Sequence, residues 1–244
     1  MKVLVIPDVH LKPVMFDRAD QLFKSENIDR CVCLMDIPDD WNKQFNISLY
    51  EETFKAAIKF QKDHPDTLWC WGNHDLSYVW GMSESGYSKV AEYTVRKYID
   101  KLLDIVPDDQ IEYIHRIDDV LFMHGGLSAL FVKTHLEDLG LYDDVDTIIS
   151  WINSLGPEYM WTNASPIWYR PQLDFRALYK QDTLLQVVGH TPVRKVNTDT
   201  VRNFISCDVF STESNGTRYG EEKFPVIDTK RKSLCNLHEM ERNL

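Results

Sequence analysis

The chain has 244 residues, with 27 Lys+Arg against 38 Asp+Glu, a formal net charge of −11, 43% hydrophobic residues and 12% aromatics. A chain of this length buries roughly 70–75% of its unfolded surface, enough for a substantial core, and its aromatic content argues against disorder. The acidic balance argues against a duplex-DNA or anionic-membrane binder, because attraction to phosphate backbones needs positive potential. It leaves phosphate chemistry open, since bound metal ions supply positive charge locally.

In chain order, residues 3–6 form an apolar, β-branched run and residues 16–23 a short segment with helical spacing. A second strand-like run lies at 31–35. Residues 50–61 place Phe54, Ala57, Ile58 and Phe60 at helical intervals, with charges between them. A third strand-like run covers 68–71 and another helical pattern covers 90–103. A fourth run lies at 120–123, and residues 144–155 set Val145, Ile148, Ile149 and Ile152 on one stripe. A fifth run lies at 184–188. From 201 to 237 several short strand-like pieces follow without helices. The alternation predicts an α/β architecture, and the C-terminal pieces predict a mixed sheet. Repeats, low-complexity blocks and Gly/Ser linkers are absent, so a single domain over 1–244 is expected.

No stretch reaches the roughly 18–20 apolar residues of a membrane span, and MKVLVIPDVH is a poor signal peptide. Cys31, Cys33, Cys70, Cys207 and Cys235 are odd in number and contain no CxxC, which reads as reduced, mostly buried thiols of a cytoplasmic protein. Cys31 and Cys33 are expected on one side of a buried strand.

Each of the five predicted strands runs into polar residues suited to metal or phosphate. These are Asp8 and His10, then Asp36 and Asp39, then Gly72-Asn73-His74-Asp75, then His124-Gly125-Gly126, and last Gly189-His190. In open α/β sheets ligands bind beyond the carboxyl ends of the strands, so five strand ends are expected to converge. Asp and His with an Asn amide oxygen suit Mn, Fe or Zn better than Ca. Asp8 and His10, two apart, share a side of an extended chain. Asp36 is the natural carboxylate to bridge two ions, Asn73 ligates without adding charge, and His124 and His190 complete the second ion. His74 is placed to protonate a leaving oxygen, with Asp39 orienting its ring.

The blocks Asp8-Val9-His10, Met35-Asp36-Ile37-Pro38-Asp39-Asp40, Gly72-Asn73-His74-Asp75, Met123-His124-Gly125-Gly126 and Gly189-His190-Thr191-Pro192 resemble the calcineurin-like metallophosphoesterase superfamily. Their phrasing is most similar to the serine/threonine-type phosphoprotein phosphatases and their bacterial relatives, over roughly residues 1–210. The resemblance implies a four-layer α-β-β-α sandwich with two mixed sheets. It implies two divalent ions, Mn first and Fe or Zn next, on Asp8, His10, Asp36, Asn73, His124 and His190. His74 is then the general acid with Asp39 behind it, and a metal-bridging hydroxide attacks phosphorus in line. The segment Ser165-Pro166-Ile167-Trp168-Tyr169-Arg170-Pro171 is similar to a W-Y-R segment whose Arg holds the substrate phosphate, here Arg170, with Asn73 as a neighbouring phosphate contact.

One block departs from the pattern. Met35 stands where the family has Gly, and Asp40 where it has a phosphate-binding Arg. A carboxylate there repels a dianionic monoester. The expected activity is therefore hydrolysis of a phosphate monoester, on phosphoprotein or a small metabolite. A diesterase or dinucleoside-polyphosphate hydrolase stands second, and a non-catalytic metal-binding module third. The partner is a phosphorylated substrate; duplex nucleic acid and membrane are not expected. His64, His115, His135 and His238 read as structural residues in charged, exposed settings, Asp75 is open between a supporting role and none, and Asp208 reads as structural. Trp69, Trp71 and Trp80 read as core and rim. Segments 41–51, 76–88 and 128–171 exceed minimal connections and are expected to form lid-like insertions that set substrate choice.

Overall fold

The computed structural model describes residues 1–25, 27–136 and 144–235. His238 and part of the 128–171 segment lie outside them.

Two mixed sheets form the centre. The first contains β1 (Lys2–Ile6), β2 (Arg30–Cys33), β3 (Leu68–Cys70), β4 (Ile111–Glu112), β10 (Val226–Asp228) and β11 (Ser233–Leu234), in the order β11-β10-β1-β2-β3-β4. Strands β1 to β4 run parallel, while β10 joins β1 antiparallel. The second contains β5 (Ile114–Ile117), β6 (Val120–Met123), β7 (Leu185–Val188), β8 (Asn197–Asp199) and β9 (Phe204–Ser206), in the order β5-β6-β7-β9-β8. Here β6, β7 and β9 are parallel and the two edges antiparallel.

Alternation along each strand explains the layers. Val3, Val5, Val32 and Cys70 face Val120, Phe122, Val187 and Ile205 between the sheets. The intervening Leu4, Ile6, Cys31 and Cys33 face outward, toward α1 (Val14–Ser25), α2 (Ile47–Asp63) and α4 (Glu92–Leu103). Cys31 and Cys33 thus share the helix-facing side, as expected. On the far side, Leu121, Met123 and Val188 pack beneath α3 (Asn73–Trp80), α5 (Ala129–Leu136), α6 (Val145–Asn153) and α7 (Pro157–Met160). The four predicted helical patterns correspond to α1, α2, α4 and α6. In α2, Tyr50, Phe54, Ala57 and Phe60 form the buried stripe, and Asn46 Oδ1 accepts from Leu49 N–H at the N-terminus, 3.3 Å.

Some expectations shift. The second strand stops at Cys33 rather than Met35, because Met35 and Asp36 adopt left-handed backbone, φ 54° and 43°. His64 and His115 are buried, not exposed. His64 Nε2 meets Asp20 Oδ1 at 2.8 Å and His115 Nε2 meets the Trp69 carbonyl at 3.0 Å. Each ring has a local polar partner that makes burial tolerable. The expected insertions are partly regular, since α2 begins within 41–51, α3 ends within 76–88, and α5, α6 and α7 lie within 128–171. Trp69 is fully buried, while Trp71 and Trp80 pack half-buried at the core edge. All five cysteines are free.

Candidate active site

The strand ends continue to pair after the strands stop, and this brings the motif residues together. Val9, His10 and Leu11 N–H groups donate to the carbonyls of Met35, Asp36 and Ile37 at 3.0, 2.8 and 3.0 Å. In the second sheet, Gly189 N–H donates to His124 O at 2.8 Å. The backbone is bent hard at these loops. His10, Leu11, Met35, Asp36, Asp39 and His190 all have positive φ, between 42° and 66°. Non-glycine residues accept that conformation at a cost of about 1–2 kcal/mol each, and such outliers gather at functional sites. Met35 occupies it where a glycine is expected.

Two side chains tie the sheets across the centre. His124 Nδ1 meets the Leu34 carbonyl at 2.9 Å, and His190 N–H donates to Asp8 Oδ2 at 2.8 Å. With Nδ1–H so directed, His124 Nε2 faces Asp36 Oδ2 at 3.1 Å, Asn73 Oδ1 at 3.0 Å and His190 Nδ1 at 3.1 Å. Four ligand-type atoms crowd one point. Two groups of donors, each within 4.8 Å, share Asp36: His10 with Asp36 and His74, and Asp36 with His124 and His190. Asp8 Oδ1, beside this cluster, is buried without a hydrogen-bond partner. Buried polar atoms are normally satisfied, so this carboxylate oxygen fits a cation ligand. The set of imidazoles, carboxylates and one amide oxygen is of the transition-metal type.

Glycine makes room for the carboxylates. A Cβ on Gly72 would lie 2.1 Å from Asp36 Oδ1, and one on Gly189 would lie 2.0 Å from Asp8 Oδ1. Gly72 also precedes α3, whose free N-terminal His74 N–H donates to Asp36 Oδ1 at 2.9 Å. Gly125 and Gly126 N–H groups donate to the Pro166 and Tyr169 carbonyls, at 2.8 and 2.9 Å. That contact brings the 166–170 segment to the centre. Arg170 Nη1 donates to the His190 carbonyl at 2.6 Å and to Thr191 Oγ1 at 3.3 Å.

The buried charges act on one another. Burial raises the Asp8 carboxyl well above its usual range, and Asp208 reinforces this. For Asp36 burial also pushes upward, but His124, His74 and His10 outweigh it and hold the carboxyl low. Burial opposes protonation of His124, yet Asp36 and Asp8 lift it to about 9. Burial lowers His10 to about 3 and takes His190 well down. The cluster thus draws in positive charge at His124, where a metal ion would otherwise supply it.

His74 stands beside the cluster. Its Nδ1 meets Asp39 Oδ2 at 3.1 Å, and Asp39 Oδ1 accepts from the hydroxyls of Tyr50 at 2.8 Å and Tyr78 at 2.6 Å. Burial disfavours charge on the ring, but Asp36, Asp39 and Glu84 raise its proton affinity well above the ordinary value. Asp75, fully buried, accepts from Ile37 N–H at 3.1 Å and so braces the loop carrying Asp36 and Asp39. Asp208 is buried and accepts from the Ser211 hydroxyl at 2.7 Å. Asp40 is not a bare charge: Lys12 Nζ lies 3.7 Å from it and Thr212 Oγ1 3.4 Å.

The structure therefore brings Asp8, His10, Asp36, Asp39, Asn73, His74, His124, Arg170 and His190 to one place. Sequence reasoning missed Glu84, whose Oε1 lies 2.7 Å from His74 Nδ1 and whose Oε2 accepts from Asn73 Nδ2 at 3.3 Å. It belongs to no motif block, and only the bracketing Gly81 and Gly86 hint at a shaped loop. Tyr50, Tyr78 and Lys12 were likewise invisible, since their partners lie far away in sequence.

A family model of the calcineurin-like phosphoesterases matches residues 1–209. Among solved structures, a cold-active protein-tyrosine phosphatase of a psychrophilic Shewanella species is similar at 18% identity and a TM-score of 0.57. The match covers 96% of this chain and 76% of that one. A second structure of a cold-active protein tyrosine phosphatase gives 18% identity and a TM-score of 0.54, over 93% and 73%. A protein serine/threonine phosphatase from Saccharomyces cerevisiae gives 16% identity and a TM-score of 0.46, over 89% and 70%. A search of curated protein sequences returns no match. The first two likenesses establish the fold, and the family match agrees with the donor cluster. The chain belongs to the calcineurin-like phosphoesterases, metal-dependent hydrolases of phosphoester bonds.

Proposed function

We propose that the centre hydrolyses a phosphate monoester, on a phosphoprotein or a small phosphorylated metabolite, with two divalent ions held by Asp8, His10, Asp36, Asn73, His124 and His190. The observation that carries this reading is Asp36, whose Oδ2 lies 3.1 Å from His124 Nε2 and 3.8 Å from His10 Nε2, so that one carboxylate belongs to both groups of candidate ligands and would serve two ions. When bound, such a pair supplies a hydroxide nucleophile at neutral pH and Lewis acidity toward phosphoryl oxygens. Mn is the first metal to test, with Fe and Zn next. Buried free thiols fit a reducing, cytoplasmic compartment.

The chain's own residues do the rest. His74, kept charged by its carboxylate neighbours, donates from Nε2 to the leaving oxygen. Asp39 holds the opposite ring nitrogen, and two tyrosine hydroxyls keep Asp39 still. Arg170, fixed beside His190 through Nη1, offers a guanidinium to phosphoryl oxygens. Lys12 offsets Asp40, which keeps a doubly charged group acceptable despite the lost Arg. Segments 76–88 and 128–171 contribute Glu84 and Arg170, which supports their role as substrate-selecting insertions. Segment 41–51 touches the first of them, where Gln44 O accepts from the Ser88 hydroxyl at 2.5 Å. Diester hydrolysis is the second reading, favoured by the Glu84 carboxylate on Asn73.

The test measures turnover of an aryl phosphate and a bis-aryl phosphate with added Mn²⁺, beside a metal-depleted control. Asp36→Ala and His74→Ala are expected to lose nearly all turnover. Metal-independent turnover, or wild-type rates in either variant, overturns the mechanism.

A further inference from the structure

Glu84 sits on a loop built to hold it. Gly81 and Gly86 have left-handed φ of 68° and 96°, and a Cβ on Gly86 would lie 3.2 Å from His74 Cε1. Met82 N–H donates to the Ser77 carbonyl at 2.9 Å. At the far end Tyr87 stacks on Tyr78, ring centroids 4.3 Å apart, and Ser88 N–H donates to the Tyr78 hydroxyl oxygen at 2.8 Å. Between these anchors the Glu84 side chain is only 9% exposed.

Its two oxygens are used differently. Oε2 accepts from Asn73 Nδ2, while the Oδ1 of the same amide faces His124 Nε2 at 3.0 Å. Glu84 therefore borders the ligand cluster and occupies the amide donor assigned to phosphate. Oε1 pairs with the His74 ring, 2.7 Å from Nδ1, although the ring N–H is directed at Asp39. His74 already has its orienting carboxylate, so a second one is redundant for aiming the ring. What Glu84 adds is negative charge at a fixed place.

We propose that Glu84 is a specificity-determining residue, a built-in negative charge beside the phosphoryl site that penalises doubly charged phosphoryl groups more than singly charged ones. This rests on the phosphoesterase reading above. Repulsion scales with the charge on the ligand, so removing the carboxylate favours a monoester over a diester whichever the wild type prefers.

The experiment compares the Mn-loaded full chain with Glu84→Gln, which keeps the acceptor for Asn73, with Glu84→Asp, which keeps the charge, and with Glu84→Ala. The readouts are kcat/KM for an aryl phosphate and a bis-aryl phosphate, and the Kd of inorganic phosphate by calorimetry. Glu84→Gln is expected to raise the monoester-to-diester ratio on the order of tenfold and to tighten phosphate by a similar factor. Glu84→Ala moves in the same direction, and Glu84→Asp keeps most of the wild-type ratio. Equal changes in both esters with unchanged phosphate affinity mark a merely structural loop and overturn the proposal. If the wild type hydrolyses neither ester, the phosphoesterase mechanism falls, while the phosphate Kd values still decide the role of Glu84.

Discussion

Gly189→Ala tests how tightly the centre is built. Gly189 has no positive φ, so alanine brings no backbone strain there and its effect arises wholly from contact. The added Cβ falls 2.0 Å from Asp8 Oδ1 and 3.0 Å from its Cγ. A comfortable carbon–oxygen contact is about 3.3 Å, so one partner must move by roughly 1.3 Å. Asp8 is 1% exposed and its other oxygen accepts from His190 N–H at 2.8 Å, so retreat breaks one of the bonds that join the two sheets. Displacing a ligand or reacting group by about 1 Å costs on the order of 10²-fold in rate, and a disturbed ligand shell costs roughly 10–100-fold in metal affinity. Overpacking adds about 1–3 kcal/mol of instability. The assay is Mn²⁺ titration of aryl phosphate hydrolysis, with circular dichroism and thermal melts to establish that the variant is folded. A folded Gly189→Ala protein with wild-type Mn²⁺ affinity and rate refutes the assigned position of Asp8.

Three further outcomes are expected. Arg170→Lys keeps the charge but loses the planar fork, so KM for an aryl phosphate rises on the order of tenfold with kcat changing less; an unchanged KM in initial-rate measurements removes Arg170 from the phosphate site. His115, lowered by burial from 6.5 to about 4, stays neutral in the fold while the unfolded chain takes up a proton. Stability from this group is present above pH 6.5 and is lost as pH falls toward 4, by about 3 kcal/mol over the full interval. Denaturant melts across that range should show a shallower loss in His115→Gln, and identical slopes contradict the assignment. Met35→Gly relieves left-handed strain worth roughly 1 kcal/mol but empties a fully buried site, where truncating Met costs about 2–5 kcal/mol. The net is destabilisation by on the order of 2 kcal/mol in urea unfolding, and a more stable glycine variant shows that the strain dominates.

The strands and the helices α1, α2, α4 and α6 announce themselves because a half-buried element must repeat its apolar residues at its own period. The ligand residues are legible because each lies within four residues of the end of such a strand. Helix α3 was not, since its first turn is Asn73-His74-Asp75, chosen for the centre rather than for apolar spacing. Tyr50 and Tyr78 look like ordinary core aromatics, and only the folded chain brings their hydroxyls to Asp39. Glu84 and Lys12 act through charge across long separations, which no local pattern records. His64 and His115 misled because charged neighbours in sequence are not neighbours in space.

The bonds between His124 and Leu34, and between His190 and Asp8, have a mechanical consequence. The reaction centre is also the rivet that closes one sheet over the other. Any ion it takes up is then a folding ligand, stabilising the closed sandwich by about 2.7 kcal/mol when free metal stands at a hundred times its Kd. Chelation should loosen the molecule along this seam first. Substitutions in the loops bearing Glu84 and Arg170 leave both of these bonds in place.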